Sequence, residues 1–522
     1  MADNDQSWLS VWTLVYAYLI YQTLLFVYRI TFHPLAKFPG PKLAAMSTMY
    51  EFWFDGIKGG KYTQEVARMH SQYGPIIRIG PEQLHCNDPA FTDKVYPGGR
   101  AKRDRFQWAV AAHGPSIFGT IDHNLHRKRR APLNTFFSKA SISKLETLIH
   151  PLSHRLCDIL LARAGTGEPV NVNDAYSCFS SDVIITYCFG QPGGFLDKDD
   201  FDNGIREGIH ITLATLPLLR QWPWIRLIYG GMNTFLTYMG QSVPSHVKSG
   251  LAGAVEKGEQ DSRLYRRSIF NELLDSNLPA EEKSERRLLA EALNMIGAGT
   301  ETVAWTLSVG TYHLLAKPEI LHKIKTELDT IVTDPNDLPA WSVLEQLPYL
   351  ISLTPILLIH LPIISHSAII KEILRLSYGV ATRIARSAPD EALQYTGTFK
   401  SNPISWTIPT GTAISMTTAI MHHDESIFPD SHEFIPERWL KDDGTRRMDL
   451  DKYLLSFNKG SRQCIGINLA YCELYVALTA LILKVFPRLE LFETTEADVK
   501  YDHDMFVPMP YKGSKGVRVL VK

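Results

Sequence analysis

The ten residues Phe457-Asn458-Lys459-Gly460-Ser461-Arg462-Gln463-Cys464-Ile465-Gly466 put one cysteine in a loop that leads into an apolar helical stretch. A cysteine thiolate that binds a metal needs backbone N–H groups near its sulfur and little bulk beside it. Gly460 permits the positive φ of a tight turn, and Gly466 lets the following helix come close to a ligand. The stretch therefore predicts a loop that presents the sulfur of Cys464.

Besides its glycines, the loop contains a phenylalanine and an arginine, because it reads F-x-x-G-x-R-x-C-x-G. Phe457 would shield the sulfur, and Arg462 would form a charge-assisted pair with a carboxylate of the ligand. A metal ion deprotonates the thiol that binds it, so the sulfur would stay anionic at neutral pH. The alternative is a buried structural cysteine ahead of a helix, which a cysteine standing alone would favour.

Three further patterns precede this loop. Glu372–Arg375 reads E-x-x-R, Phe434–Trp439 contains P-E-R-W, and Ala298–Thr302 reads A-G-T-E-T. Together with the cysteine loop, and in this order, they resemble the signatures of the cytochrome P450 monooxygenases. The sequence patterns of the chain are similar to those of fungal members close to the trichodiene-oxygenase type.

The resemblance implies a cofactor and its ligands. The cofactor would be haem b (iron protoporphyrin IX), with Cys464 as the axial ligand of the iron. Phe457, Gly460 and Gly466 would shape the loop around it, and Arg462 would bind a haem propionate. The chemistry would be insertion of an oxygen atom from O2.

Two further cations match propionate-binding positions of the family. Arg130 matches the arginine of a W-x-x-x-R pair, and His126 stands where tryptophan is usual. The two lie four residues apart, hence on one helix face. After the E-x-x-R helix, Arg386 is the preferred candidate and Arg383 the second. The alternative for all four is a solvated basic surface. If Arg130 and His126 face the haem, residues 127–129 would face partly outward and form part of a basic patch for an acidic electron donor.

The central helix supplies the candidate catalytic pair. In the family, a threonine at the position of Thr302 donates to oxygen, and an acid at the position of Glu301 relays protons from solvent. Gly297 and Gly299 cost helix stability, roughly 1 kcal/mol each, which suggests that something packs against the backbone there. The alternative for Thr302 is an ordinary packing residue.

Glu372, Arg375 and Arg438 are expected to form a buried ion triad with a structural role, since removing one member would leave an unpaired charge.

His422-His423-Asp424-Glu425 resembles a metal cluster at first sight. Adjacent histidines point in different directions, so we interpret this segment as a structural connection.

Composition bounds the fold and the compartment. The 522 residues carry a net charge of −1 and six cysteines, with no C-x-x-C pair. The charge gives no general attraction to nucleic acid, and the cysteines suit a reducing compartment.

Strands are predicted at 76–79, 84–86 and 406–412, and long helices at 141–164 and 284–316. The expected fold is mainly α with a small β subdomain, the cytochrome P450 fold.

The N-terminus predicts one transmembrane helix. Trp8 to Tyr28 would span about 31 Å as a helix, near the thickness of the hydrocarbon core. Basic residues follow the helix, which directs the body to the cytosol. The prediction is a membrane anchor at 1–33, a stiff hinge at 38–41, a catalytic domain at 34–522, and a single-pass protein of the endoplasmic reticulum membrane. The alternative is an amphipathic or buried helix.

One segment departs from the family. Ile351–His366 is apolar, contains two prolines, and separates L-P-Y-L from the E-x-x-R helix. A membrane span there would put the two halves of the site on opposite sides of a bilayer. We therefore interpret the segment as a translated intron, or alternatively as a surface loop that dips toward the membrane.

The sequence thus predicts a monooxygenase that hydroxylates or epoxidises a lipophilic small molecule of terpenoid type in fungal secondary metabolism. Electrons would come from NADPH through a cytochrome P450 reductase, with cytochrome b5 as a second donor. The alternatives are a haem-thiolate isomerase or dehydratase that rearranges a peroxide, and a haem protein that only binds a ligand. Both are disfavoured by the acid–threonine pair. Substrate contacts are expected from 106–118 and 212–224.

Overall fold

The computed structural model describes residues 2–106, 113–190, 192–198, 201, 204–222, 268–347 and 366–522. The α-helices are α1 (Ala2–Thr31), α2 (Lys42–Met46), α3 (Met49–Phe52), α4 (Tyr62–Tyr73), α5 (Thr92–Val95), α6 (His123–Phe136), α7 (Lys139–Leu161), α8 (Val172–Phe189), α9 (Gly204–Gln221), α10 (Ile269–Asp275), α11 (Glu285–Ala316), α12 (Pro318–Asp329), α13 (Trp341–Leu344), α14 (His366–Ser377), α15 (Thr418–Met421) and α16 (Ile467–Lys484). The strands are β1 (Ile76–Gly80), β2 (Gln83–Cys86), β3 (Asp104–Arg105), β4 (Val170–Asn171), β5 (Arg386–Ser387), β6 (Leu393–Phe399), β7 (Asn402–Ile408), β8 (Ala413–Ser415), β9 (Leu489–Leu491), β10 (His503–Met505), β11 (Val507–Met509) and β12 (Arg518–Val521).

The chain forms two compact units. Unit 1 comprises Met1–Phe106 and Arg383–Thr417, and unit 2 comprises Gln107–Thr382 and Thr418–Lys522. Unit 1 holds most of the β-structure, whereas unit 2 is mainly helical. The prediction of a mainly α protein with a small β subdomain is confirmed.

Unit 1 is organised by a five-stranded sheet of order β1-β2-β8-β5-β3. The predicted hairpin is present, because β1 pairs antiparallel with β2 and Ile76 lies opposite Cys86. All residues of both strands are buried. A second hairpin pairs β6 with β7. The strand predicted over 406–412 ends at Ile408, since Gly411 closes a turn with φ +76°.

The link predicted as a stiff hinge, residues 38–41, is held against β1 within unit 1. The backbone N–H of Arg78 donates to Pro39 O at 2.7 Å. Phe38 is buried and packs on Trp406, with ring centroids 5.0 Å apart. A Cβ added to Gly40 would lie 2.4 Å from Arg78 O. The prolines and the glycine therefore fit a tight contact with β1 instead of a free swivel.

Unit 2 is built around α11, which packs on α8, α9, α14 and α16. Both long helices predicted from the sequence are present. Each is preceded by a serine, Ser138 before α7 and Ser284 before α11, and the Ser138 hydroxyl accepts from the N–H of Ser141. Serine is a favoured helix-capping residue because its oxygen satisfies a free N–H of the first turn. Two small sheets, β4-β12-β9 and β10-β11, complete the unit.

Two helices of the described residues are long and apolar enough to cross a membrane. Val11–Thr31 is not buried, whereas Ile467–Lys484 is two-thirds buried. The second is therefore a core helix of unit 2, and the first fits the single transmembrane helix predicted at the N-terminus. Most of the atypical insertion, residues 351–365, lies outside the described residues, as do 107–112 and 223–224 of the predicted substrate-contacting segments.

Candidate active site

The cysteine loop is closed by backbone hydrogen bonds. The N–H of Cys464 donates to Phe457 O at 2.9 Å, and that of Gln463 donates to Gly460 O at 3.0 Å. Gly460 has a φ of +75°, the left-handed conformation that glycine adopts without steric penalty. The next residues lead directly into α16, and a Cβ added to Gly466 would lie 4.0 Å from Cys464 Sγ. The loop thus folds as a tight turn with its sulfur beside the start of the helix.

The thiol of Cys464 is accessible, whereas the other five cysteines are buried. Desolvation by the surrounding protein still raises the pKa of the Cys464 thiol, while the backbone N–H of Gly466 and the charge of Arg130 lower it. The sulfur thus belongs to an exposed residue although the surrounding protein desolvates it. Such a thiol stays neutral until a cation replaces its proton.

Two arginines contact the loop or its surroundings. Arg130 Nη1 donates to Gln463 O at 2.6 Å, next to the cysteine. Desolvation lowers the pKa of Arg130, and Cys464 opposes that shift. Arg462 Nη1 donates to Thr120 O at 2.7 Å, so it joins the loop to the segment ahead of α6. His126 is buried one turn before Arg130.

The basic patch predicted over residues 127–129 is smaller than expected. Arg127 and Lys128 are exposed. Arg129 instead holds Glu282 through two hydrogen bonds of 2.6 and 2.8 Å. Its charge is therefore neutralised inside unit 2, and an electron donor would meet the other two cations.

One face of α11 is open along its middle. Asn294 and Thr302 are half-buried and Ala298 is exposed, and these residues follow one another at four-residue intervals. Residues so spaced lie on one face of a helix. The Thr302 hydroxyl donates to Ala298 O at 2.8 Å. The stripe therefore carries one amide, one methyl group and one hydroxyl.

Gly299 does not belong to this open face. A Cβ added there would lie 2.7 Å from Ile184 Cγ1 and 2.9 Å from Ile184 Cβ. Beside it, the hydroxyls of Thr300 and Ser181 are 2.9 Å apart. The glycine is required by the crossing of α11 with α8, where Ile184 packs against its backbone.

Glu372, Arg375 and Arg438 meet in the interior of unit 2. Glu372 accepts two hydrogen bonds from Arg375, of 2.8 and 2.9 Å, and one from Arg438 Nε at 3.0 Å. Trp439 Nε1 adds a fourth at 2.9 Å. Desolvation opposes the charge of Glu372, but the two arginines outweigh it and lower its pKa. The triad joins α14 to the segment around Trp439.

The whole sequence agrees with these local patterns. The family model for cytochrome P450 matches residues 39–512. The chain belongs to the cytochrome P450 family. It is 38% identical to the cytochrome P450 monooxygenase tpcC of Cochliobolus heterostrophus over 524 residues, which cover 96% of this chain and 95% of the relative. It is 41% identical over 536 residues to the monooxygenase MO6277 of Ascocoryne sarcoides (97% of each chain), and 36% identical over 505 residues to the tryptophan 6-hydroxylase fscE of Fusarium equiseti (95% of this chain, 93% of the relative).

This P450 is accordingly an oxidoreductase of the monooxygenase class. Members of the family carry haem iron, use O2 and a redox partner, and act on small molecules. The residues around Cys464 fit that cofactor, because Cys464 is exposed and the guanidinium of Arg130 contacts the neighbouring Gln463. The positive charge of the half-buried Arg130 also compensates the negative charge that a thiolate ligand brings.

Glu301 has partners that the sequence did not reveal. Its Oε1 lies 2.9 Å from His210 Nε2, and its Oε2 lies 3.4 Å from Arg206 Nε. Arg206 Nη1 also contacts Asp174 Oδ1 at 2.7 Å. Desolvation opposes the charge of Glu301, but Arg206 and His210 outweigh it and lower its pKa. Arg206 and His210 are four residues apart on α9, a spacing that would have suggested a shared partner but not its identity.

A polar pair lies at the other end of the open stripe. The Asn294 amide donates to the carbonyls of Ala290 and His113, so its oxygen accepts from His113 Nδ1 at 2.7 Å. The His113 ring packs on Phe118 and Phe506, with centroids 4.4 and 5.4 Å away. These side chains bring a loop, α11 and the β10–β11 turn together. Their partnership joins distant positions, so no local motif indicated it.

The two remaining arginine candidates belong to unit 1. Arg386 is buried in β5, and its guanidinium lies over the Tyr96 ring at 5.7 Å. Desolvation lowers the pKa of Arg386 to about 10. Arg383 instead pairs with Glu51 at 2.9 Å and with Asp55. The second candidate therefore already has two carboxylate partners.

The H-H-D-E segment has a structural role. His422 Nδ1 donates to Arg375 O at 2.8 Å, and its Nε2 accepts from the N–H of Leu455 at 2.9 Å. His423 contacts the Tyr378 hydroxyl and Ser431. Among the described residues no group of three or more His, Cys, Asp or Glu could hold a metal ion.

Proposed function

We propose that this P450 hydroxylates or epoxidises a lipophilic small molecule in fungal secondary metabolism, with electrons from an NADPH–cytochrome P450 reductase. The observation that carries the proposal is the accessible Cys464 sulfur with Arg130 beside it, in a unit whose central helix keeps one face open. On that face the polar groups of Asn294 and Thr302 already have hydrogen-bond partners within the protein, so the small side chain of Ala298 between them is open to a lipophilic ligand.

The residue roles follow from these contacts. Cys464 is the axial ligand of the haem b iron, and Phe457, Gly460 and Gly466 shape its loop. Haem supplies the activation of O2 when it is bound. Thr302 supplies a hydroxyl on the open face, and Glu301 holds a proton-exchanging carboxylate on the adjacent position of the helix.

The residues that would bind the haem propionates are Arg130, His126, Arg386 and Arg462. Arg130 is supported by its position beside the cysteine loop. Arg462 already donates to a backbone carbonyl, but a guanidinium has five N–H donors and serves several acceptors. His126 donates from a ring N–H.

The substrate class we propose is a terpenoid scaffold, because the sequence patterns of the chain resemble those of fungal terpenoid-oxidising members of the family. The relative named as a tryptophan 6-hydroxylase is 36% identical, so an indole is the competing class. Both are apolar rings, which the aromatic pair Phe118 and Phe506 would contact face or edge on.

A second candidate function belongs to a different class of haem-thiolate protein. A haem-thiolate protein that rearranges a peroxide, or only binds a ligand, would need no reductase. The pair Glu301 and Thr302 favours the monooxygenase, because proton delivery is required when O2 is the oxidant.

We also propose that residues 1–33 anchor the protein in the endoplasmic reticulum membrane, with the catalytic domain at 34–522 in the cytosol. The 21-residue span Val11–Thr31 of α1 is apolar, and none of its residues is buried. It is long enough to span a bilayer core.

The segment 351–366 is, we infer, the product of a retained intron. His366 is fully buried at the start of α14, and neither ring nitrogen has a hydrogen-bond partner among the described residues. Buried polar atoms without partners are rare in native proteins. Sequencing of the mature transcript tests this, and a message that keeps these codons overturns it.

The function is tested by spectroscopy and turnover on the full-length protein in membranes. Reduced protein with carbon monoxide should give the difference spectrum of a thiolate-bound haem. Cys464→Ser should abolish it, whereas Cys472→Ser, the same exchange at a buried cysteine of α16, should keep it. NADPH with reductase should then yield product from a panel of terpenes and indoles. Product from a hydroperoxide without reductase would overturn the monooxygenase assignment.

A further inference from the structure

Four charged side chains form a nearly buried cluster at the start of α11. Arg129 of α6 contacts Glu282, with Nε and Oε2 2.6 Å apart. Arg287 Nη1 lies 2.8 Å from Glu291 Oε2, and its Nε lies 3.4 Å from Glu282 Oε2. The four side chains, which we call the charge cluster, are between 2% and 16% exposed. Because a buried ion set is a poor way to stabilise a fold, the contacts of the cluster indicate its role.

The charge cluster holds a loop, residues 113–121, at three points. Glu291 Oε2 accepts the backbone N–H of Ile117 at 2.9 Å. Arg129 Nη1 donates to Pro115 O at 3.1 Å and to the hydroxyl of Thr120 at 2.8 Å. A carboxylate thus holds an N–H, and a guanidinium holds two oxygens. Because Ile117 is itself buried, its bond to Glu291 is stronger than the same bond in water.

The 113–121 loop is also closed by its own contacts. The Thr120 hydroxyl donates to Ser116 O at 2.7 Å, and the N–H of Gly119 donates to Ser116 Oγ at 3.1 Å. A Cβ added to Gly119 would lie 2.1 Å from Gly114 O, so the turn is tightly folded. Phe118 lies within this closed turn, and a shift of the loop therefore carries its ring along.

The loop is anchored at one end of the open stripe. Glu291 precedes Asn294 by three residues and Ala298 by seven, so all three lie on one face of α11. From Asn294 to Thr302 the helix rises by about 12 Å. An apolar molecule must have about that length to reach from Thr302 to the loop. The ring of Phe118 would contact such a molecule, whereas a shorter one would end before it.

We propose that Glu291 determines substrate specificity without touching the substrate, by positioning the 113–121 loop and its Phe118 at the end of the open stripe. The inference rests on the proposed function, in which that stripe receives a lipophilic molecule. It assigns to Glu291 the selection among scaffolds longer than about 12 Å, because shorter ones do not reach the loop. Glu291 is a positioning residue, and Arg287 holds its carboxylate in place.

Hydrogen–deuterium exchange tests the positioning on the full-length protein. Arg287→Leu with Glu291→Leu removes the acceptor of the Ile117 N–H, and it removes one charge of each sign, so the exchange leaves no new unpaired charge. Deuterium uptake in the peptide that covers residues 113–121 should become about tenfold faster, since a hydrogen bond to a charged group is lost. Glu291→Gln retains an oxygen acceptor and should keep most of the protection. Unchanged uptake in the double variant would overturn the proposal.

Ligand binding tests the specificity. Geranylgeraniol, an acyclic diterpene alcohol, is the long probe, and indole is the short one. In the double variant the dissociation constant for geranylgeraniol, measured from ligand-induced absorbance shifts, should rise several-fold, whereas that for indole should stay the same. KM should rise for the long probe with kcat unchanged, because Thr302 and Glu301 are not altered. Equal changes for both probes would show a merely structural role and overturn the proposal.

Controls separate this inference from the proposed function. Glu327→Gln alters a comparably buried carboxylate of α12 and should change neither deuterium uptake nor binding. The carbon monoxide difference spectrum and Tm show whether each variant is folded. If the unsubstituted protein shows no absorbance shift and forms no product, the proposed function fails and the specificity role falls with it. If it responds to both probes but the double variant keeps the same ratio of dissociation constants, only the role of Glu291 is overturned.

Discussion

Glu301 and His210 are joined by a 2.9 Å contact between Oε1 and Nε2. The carboxylate is therefore directed at α9, while the hydroxyl of the next residue, Thr302, donates to Ala298 O on the open face of α11. No direct hydrogen bond joins Glu301 to Thr302 among the contacts of the described residues. Glu301 is almost fully buried, whereas the His210 side chain is 27% exposed. His210 thus provides the shortest observed connection between this carboxylate and solvent.

Glu301→Gln tests the role of the carboxylate. The lowered pKa of Glu301 keeps it ionised at neutral pH, and the amide cannot take up a proton. Product formed per NADPH should fall about a hundredfold, within the usual range for a general acid or base, with more peroxide released. Asp174→Asn is the control, because it removes the other partner of Arg206 and leaves Glu301 in place. Unchanged coupling in Glu301→Gln would remove Glu301 from the mechanism.

Gly299→Ala should destabilise unit 2, because the new methyl group would overlap Ile184. Overpacking of this kind costs about 1–3 kcal/mol. This loss exceeds the stabilisation that the higher helix propensity of alanine contributes. Gly297→Ala is matched, since its Cβ would meet Ile209 at an ordinary 3.8 Å, and it should raise stability by up to about 1 kcal/mol. Thermal unfolding measures both. Ile184→Ala should relieve the Gly299→Ala strain, and a lack of rescue would contradict the packing explanation.

The sequence predicted those features that neighbouring residues determine. The turn at Gly460 and the helix start at Ser284 need only local backbone geometry, so their residues are diagnostic. Glu301 pairs with a helix about 90 residues away in the chain, and His113 with Asn294 across 181 positions. Such pairs depend on tertiary packing, which a single sequence does not encode in any local pattern. The packing partner of Gly299 could not be named for the same reason, because Ile184 is remote in sequence.

Asn294→Leu should change ligand selection with little loss of stability. The substitution removes the bond to His113 and frees the loop that carries Phe118 at the end of the open stripe. Loss of one such hydrogen bond costs about 1 kcal/mol. Dissociation constants from ligand-induced absorbance shifts should change unequally across a set of terpenes and indoles. Asn336→Leu, at an exposed site, should alter none of them, and a uniform change in Asn294→Leu would indicate a merely structural effect.

The ion triad should be far more sensitive to substitution than a surface pair. Glu372→Gln leaves two buried arginines without their carboxylate, which typically costs about 3–5 kcal/mol. Asp329→Asn is the matched control, since Asp329 pairs with Lys325 at 2.6 Å on the exposed side of α12. Such a pair contributes less than about 1 kcal/mol. Denaturant unfolding gives both free energies, and equal losses would show that the triad has no special structural role.

Unit 1 contains a buried histidine chain that should control its stability in acid. His70 Nδ1 donates to Gly74 O, so its Nε2 accepts from His85 Nδ1 at 2.7 Å. His85 Nε2 then accepts from the Thr417 hydroxyl at 2.8 Å. Each link requires both rings to be neutral. Desolvation lowers the pKa of His70 to about 4, and desolvation, His70 and Arg383 lower that of His85.

Stability should therefore fall as the pH decreases from about 6.5 toward 4. In that range the unfolded chain binds protons at an ordinary histidine pKa of about 6.5, whereas the folded chain does not. His70 alone would contribute a loss of up to about 3 kcal/mol. His70→Gln removes one of these sites, so Tm should depend less steeply on pH than in the unsubstituted protein. His322→Gln changes an exposed histidine of α12 and should preserve the full dependence. An equally steep Tm profile in His70→Gln would mean that the buried chain accepts protons without unfolding.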